Sequence, residues 1–272
     1  MNTRISQIFA KLKQKNQSAF IGFLTAGDPN YQTSLEIIKK MAKNGVDIIE
    51  LGIPFLDPAG DGPTIDLAGK RAIKNGMNLK KVLQMVADFR QENQETPIVL
   101  MGYYNPILHY GLEQFCLDAS AVGVDGLLVV DLPPEEDLEL RNFAQGKNGQ
   151  NQLDFIKLVS LTSDQNRIKT IAKSASGFLY LVSILGITGT KTANLLDLQN
   201  HLQKIKTISD LPIAVGFGIK SKEQIEQITK IGAEGVVVGS AFVKVIEEAI
   251  DNKVANHLIA DLVIEKLQNL LV

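Results

Sequence analysis

Two carboxylates eleven positions apart, Glu50 and Asp61, stand where chemistry is expected. Glu50 lies near the end of the apolar run 46–52, on the face shared by Val46 and Ile48 and opposite Ile49 and Leu51. A lone Glu in such a strand costs free energy unless it is paired or protonated, and burial raises its pKa toward the range of a proton shuttle. The alternative is a structural carboxylate paired to a buried cation. Asp61 sits between Gly60 and Gly62 in the loop 56–64, whose two further prolines, Pro58 and Pro63, specify its backbone. From there it can project toward the mouth of a barrel, and with Glu50 it makes a candidate two-carboxylate system. Asp57, before Pro58, reads instead as a turn cap.

Other catalytic inventories are sparse. The chain of 272 residues has one cysteine, Cys116, so no internal disulfide and no Cys–Cys zinc pair. Its three histidines, His109, His201 and His257, are far apart and fit no metal spacing. With 28 Lys+Arg against 30 Asp+Glu the net charge is −2, and no basic block suggests nucleic acid. The first 18 residues have amphipathic-helix spacing rather than a secretory leader's apolar stretch. Residues 174–190 are uncharged but interrupted by glycines, too short and broken for a membrane span. A cytoplasmic location is expected.

The elements that must position the carboxylates follow a repeating pattern. Apolar runs occur at 19–25, 46–52, 97–103, 124–132, 154–160, 178–183, 212–217 and 235–239. Amphipathic stretches lie between them at 31–44, 79–90, 135–145, 163–173, 195–208 and 222–231. From residue 19 to residue 250, the 232 positions give 29 for each of eight runs, the size of a βαβ unit. Continuous apolar runs suit parallel strands covered on both faces. The expectation is a (β/α)8 barrel in one domain spanning 1–272, with an open doubly wound sheet as the alternative. A closing helix is expected over 257–271, with Leu258, Leu262, Ile264, Leu267 and Leu270 as its apolar stripe. The polar stretch 146–152 reads as a surface loop on the N-terminal face.

In such a barrel, chemistry belongs at strand C-termini and the loops after them. Both carboxylates satisfy that condition. So do Gly216-Phe217-Gly218 after the seventh run and Gly239-Ser240 after the eighth, where backbone N–H groups and a helix N-terminus can hold phosphate. The loop 183–191 is rich in Gly and Thr, suited to closing over a ligand, and Gly189 can add a donor.

These residues resemble the tryptophan synthase alpha subunit family. The likeness rests on Glu50-Leu-Gly-Ile-Pro-Phe-Leu-Asp-Pro-Ala-Gly-Asp61-Gly-Pro-Thr-Ile, with Phe20-Ile-Gly-Phe-Leu-Thr-Ala-Gly-Asp-Pro29, Met101-Gly-Tyr-Tyr-Asn-Pro106 and Asp125-Gly-Leu-Leu-Val-Val-Asp-Leu-Pro133. Gly186-Ile-Thr-Gly189, Gly216-Phe-Gly218 and Gly239-Ser240 follow in the family's order. The resemblance implies a barrel lyase that splits indole-3-glycerol phosphate into indole and glyceraldehyde 3-phosphate. It implies Glu50 as the acid/base, Asp61 as the carboxylate at the indole nitrogen and Tyr180 beside the glutamate. Phe23, Tyr103 and Leu128 fall at the indole pocket, and Thr188, Gly189, Phe217, Gly218, Gly239 and Ser240 at the remaining substrate positions, chiefly the phosphate. It further implies no cofactor in this chain, and an alpha2-beta2 complex with a beta subunit that holds pyridoxal phosphate. Leu56, Gly60 and Ile184-Leu185 depart from the family's usual small or polar residues in two loops over the site. Three other readings remain open: a Schiff-base aldolase using Lys157, another phosphate-binding barrel, and an accessory subunit that mainly activates its partner.

Overall fold

The computed structural model describes residues 3–146, 153–183, 195–216 and 218–271. The chain begins with α1 (Arg4–Gln14), β1 (Ala19–Thr25), α2 (Tyr31–Lys43) and β2 (Ile48–Gly52). Then come α3 (Pro63–Lys74), α4 (Leu79–Arg90), β3 (Ile98–Gly102), α5 (Tyr104–Tyr110), α6 (Leu112–Ala121), β4 (Gly126–Val129) and α7 (Leu138–Gln145). The second half carries β5 (Asp154–Ser160), α8 (Gln165–Ser174), β6 (Leu179–Val182), α9 (Leu195–Lys206) and β7 (Ile213–Gly216). It ends with α10 (Lys222–Lys230), β8 (Gly235–Val238), α11 (Ser240–Asp251) and α12 (Asn256–Leu271). The eight strands pair in sequence order, all parallel, and β8 pairs back to β1. The sheet is therefore a closed barrel, as the spacing predicts, and not an open one.

Two apolar clusters follow from strand alternation. The inner cluster includes Ile21, Phe23, Ile48, Val99, Leu128, Ile156, Phe178, Tyr180, Ala214 and Val237, which fill the barrel. The outer and larger cluster includes the alternate strand residues, such as Leu24, Ile49, Leu51, Leu100 and Val215, packed against the helices. This double coverage explains runs that are apolar at nearly every position. α1 closes the N-terminal end: Ile5, Phe9 and Leu12 join the inner cluster, and the Phe9 and Phe178 rings lie 5.6 Å apart. Its N-cap Thr3 accepts from the Ser6 N–H, and Asn30, Asn78, Asp164 and Ser221 cap α2, α4, α8 and α10 in the same way.

Several local expectations are corrected. Val46 does not share the inner face with Ile48. It precedes β2, its N–H bonds the Met41 carbonyl, and its side chain packs in the outer cluster. In α12 the buried stripe is Ile259, Val263, Ile264, Leu267 and Leu270, while Leu258 is exposed. β2 and β3 are each followed by two helices rather than one. The loop expected over 146–152 lies, beyond Gly146, outside the described residues. No helix among the described residues is long and apolar enough to cross a membrane.

Candidate active site

Strand pairing places Glu50 beside Phe23 on one side and Val99 on the other, at the inner face of the barrel. Its carboxyl is buried, and neither oxygen has a hydrogen-bond partner among the described residues. No cation among the described residues pairs with it, which weighs against the structural-carboxylate alternative. Burial is the main cause that raises its pKa to about 8, and the charge of Asp61 adds to the rise. At neutral pH Glu50 is thus mostly a neutral acid with a proton to give.

Asp61 ends the loop that leads into α3, where Gly62 is the N-cap and Pro63 occupies the first turn. Burial raises its pKa to about 6, a hydrogen bond from Tyr103 opposes the rise, and the charge of Asp66 adds to it. Asp61 is therefore mainly an anion at pH 7, beside a Glu50 that is not. Tyr103 also accepts the Gly60 N–H at 3.0 Å and stacks on Phe55 with ring centroids 5.3 Å apart. The loop that carries Asp61 is tied to the end of β3 through this one phenol. A Cβ on Gly60 would approach Val130 Cγ1 to 2.8 Å, so glycine there lets the loop sit close. Asp57 is exposed and receives no hydrogen bond from a described residue, contrary to the expected turn cap.

Glycines shape the rest of the pocket. A Cβ on Gly52 would lie 2.8 Å from Phe23 Cζ, and one on Gly239 would lie 2.9 Å from Phe23 Cβ. Phe23 is held between these two. A Cβ on Gly216 would fall 2.2 Å from the Tyr180 hydroxyl. Gly216 therefore makes room for Tyr180 rather than serving only as a turn. The Tyr180 phenol is buried beside Glu50, and burial first, then that charge, holds its pKa well above the ordinary value. It stays a neutral hydroxyl.

Gly218 has φ +79°, a left-handed conformation suited to glycine. Gly239 caps α11 without a side-chain cap; its carbonyl oxygen accepts the Phe242 and Val243 N–H groups, while those of Ser240 and Ala241 have no acceptor among the described residues. Free N–H groups at the start of a twelve-residue helix suit an anion. Thr188, Gly189, Phe217 and the Ile184-Leu185 pair lie outside the described residues. Phe23, Leu128 and Tyr180 meet in the inner cluster, while Tyr103 lines the mouth with Asp61. No group of His, Cys, Asp or Glu that could hold a metal occurs among the described residues.

Lys157 is not in this site. It alternates with Ile156 and Leu158 on β5 and turns outward, buried, with Nζ 2.7 Å from Asp137 and 3.1 Å from the Leu132 carbonyl oxygen. It points neither to the solvent end of the strand nor into the barrel. That geometry removes the Schiff-base reading.

Fold and site together define a (β/α)8 barrel with two neighbouring buried carboxyls at the C-terminal end of its strands. Residues 9–270 match the family described as tryptophan synthase alpha chain. Among solved structures, the tryptophan synthase subunit alpha of Legionella pneumophila str. Paris is 35% identical, with 99% of each chain covered and a TM-score of 0.87. A chain from Aquifex aeolicus VF5 is 38% identical, with 98% of each covered and a TM-score of 0.85. A chain from a tryptophan synthase complex of Pyrococcus furiosus is 37% identical over 93% of this chain and 97% of that one, with a TM-score of 0.81. The chain belongs to the tryptophan synthase alpha chain family.

Proposed function

We propose that Glu50 and Asp61 carry out the family's reaction, the cleavage of indole-3-glycerol phosphate to indole and D-glyceraldehyde 3-phosphate. The observation that carries these roles is the buried, unpartnered Glu50 carboxyl, protonated beside an ionised Asp61. Breaking the bond between the ring and the glycerol chain needs an electron sink, and the indole supplies its own. Glu50 gives its proton to ring C3, and positive charge spreads to the ring nitrogen. Asp61 accepts a hydrogen bond from the ring N–H and stabilises that charge. Glu50, now a carboxylate, takes the proton from the hydroxyl next to the ring. The carbon–carbon bond then breaks, its electrons restore the aromatic ring, and the hydroxyl carbon becomes the aldehyde. Glu50 ends protonated, so the cycle closes without another base.

Phe23 and Leu128 give the ring an apolar seat, and Tyr103 fixes Asp61 against it. Tyr180 offers a neutral hydroxyl beside Glu50. Gly218, Gly239 and Ser240 bind the phosphate, with Thr188, Gly189 and Phe217 assigned there by sequence alone. The enzyme is a carbon–carbon lyase of tryptophan biosynthesis, and it works with a beta subunit in an alpha2-beta2 assembly. Leu56, Leu108 and Leu138 are 62%, 53% and 58% exposed, on segments that follow three neighbouring strands. Exposed leucines of this kind suit a protein partner. Pyridoxal phosphate belongs to that partner, which joins indole to serine, and no cofactor is assigned to this chain. A phosphorylated substrate and such a partner support a cytoplasmic location.

Indole release by the purified chain, alone and with a beta subunit, tests the reading. Glu50→Gln and Asp61→Asn are each expected to lose about 100-fold or more of turnover while remaining folded. Near-normal turnover in either variant would overturn the assigned roles. No indole in either condition would favour an accessory subunit.

A further inference from the structure

Beyond Asp61, its pocket is bordered by two polar atoms that the cleavage steps do not use. Thr25, at the end of β1, is 3% exposed, and its Oγ1 has no hydrogen-bond partner among the described residues. Asp66 of α3 accepts from Lys70 Nζ through Oδ2 at 2.7 Å, while its buried Oδ1 has no such partner. Both residues border the same cavity as Asp61 and Tyr103, with a volume of about 20 Å³.

Leaving buried polar atoms unpaired is unfavourable, so such atoms ordinarily find a partner. A water molecule needs about 10–15 Å³ of such volume and two to four polar partners. This cavity has the volume and three suitable groups. We propose that one buried water bridges Thr25, Asp66 and Asp61, making Thr25 and Asp66 positioning residues for Asp61. The Thr25 hydroxyl donates to the water oxygen. The water donates one hydrogen to Asp66 Oδ1 and the other to the Asp61 carboxylate. The phenol of Tyr103 holds Asp61 from another direction, which leaves the remaining lone pairs to face the ring N–H.

The arrangement rests on the role given to Asp61 above. The titratable and charged groups around Asp61 are Glu50 on β2, Tyr103 after β3, Asp66 and its partner Lys70 on α3, and Asp131 after β4, which acts through Tyr103. Of these, Asp66 adds a like charge, so its neutralisation favours ionised Asp61.

The test uses the full chain, with Thr25→Val, Thr25→Ser and Asp66→Asn compared against wild type and Asp61→Asn. Two quantities are read: kcat and kcat/KM for indole release against pH, and the Asp61 carboxyl titration by carbon NMR in the unliganded protein. Asp66→Asn is expected to move the acid limb and the NMR midpoint down by about half a unit or more. Thr25→Val is expected to lower kcat about tenfold with little change in KM and to shift the midpoint, and Thr25→Ser to restore both. If Thr25→Val only stabilises the protein, and neither variant moves the limb or the midpoint, the bridge is absent. If the wild type releases no indole, the cleavage reading fails, yet the NMR titration still decides the bridge.

Discussion

At the scale of single residues, Glu50 and Asp61 differ in surroundings more than in chemistry. Both are raised by burial, but Glu50 has no donor to offset it while Asp61 has Tyr103. The pair thus separates into a proton-holding acid with a pKa of about 8 and a carboxylate with one of about 6, the condition under which two carboxyls take different roles. The kcat/KM profile of the free enzyme should be bell-shaped, falling below pH 6 as Asp61 is protonated and above pH 8 as Glu50 is lost as an acid. A flat profile from pH 5 to 9 would contradict the assignment. The same residue carries a stability cost. Below its ordinary value of 4.5, Glu50 is protonated in folded and unfolded chains alike; between 4.5 and about 8 only the unfolded chain releases the proton. Stability must therefore fall as pH rises through that window and level off above it. The wild type should lose about 5 kcal/mol relative to Glu50→Gln across the window, read from urea midpoints at both ends. Parallel stability profiles for the two proteins would show that Glu50 is solvated.

At the scale of elements, the sequence pattern revealed what large apolar side chains mark and missed what small ones mark. All eight strands were legible because they are covered on both faces. Their predicted ends ran one or more residues long at 97–103, 124–132 and 178–183, where apolar residues continue past the ladder into the loops. α3 went unread because the residues it buries are Ala68, Gly69 and Ala72, which leave no Leu or Ile stripe. α5 and α6 were obscured by Gly111, whose φ of +98° breaks them apart. The two carboxylates were legible because acids in apolar or glycine-rich settings stand out. The Gly60 and Asp61 links to Tyr103 were not, since they join positions more than 40 residues apart through a fold-dependent contact. Gly216 shows the same limit. On β7 the inner positions are Ala214 and Gly216, and on neighbouring β6 they are Tyr180 and Val182, so small residues on one strand accommodate a large one on the next. Gly216→Ala must displace the tyrosine. The expected result is a stability loss of about 1–3 kcal/mol together with reduced kcat, because Tyr180 moves relative to Glu50. Unchanged kcat would mean that Tyr180 has no part in placing the acid.

At the scale of the whole molecule, the barrel separates its two ends by task. The mouth holds the Glu50 carboxyl without a partner among the described residues and free N–H groups at the start of α11, both of which cost stability or invite contact. The opposite end is closed by α1 and neutralised: Arg90 and Arg4 both donate to Asp125, at 2.7 and 2.8 Å, and Thr3 donates to Asp154 at 2.6 Å. In a parallel barrel this division follows from strand direction, since every loop leaving a strand lies at the mouth. It makes stability and catalysis separable by position. Phe9 is 5% exposed, packs on Phe178 and lies at the closed end of the inner cluster that holds Tyr180 at the other. Phe9→Ala should cost about 3–5 kcal/mol of stability through lost burial and the cavity left behind. Because no site residue leans on Phe9 directly, kcat at a temperature where the variant is fully folded should stay within about twofold of wild type. With no Trp in the chain, the protein itself adds no indole signal to the turnover assay. A large fall in kcat with the fold intact would mean that the packing of the inner cluster carries strain from α1 to the acid, and the two ends are coupled after all.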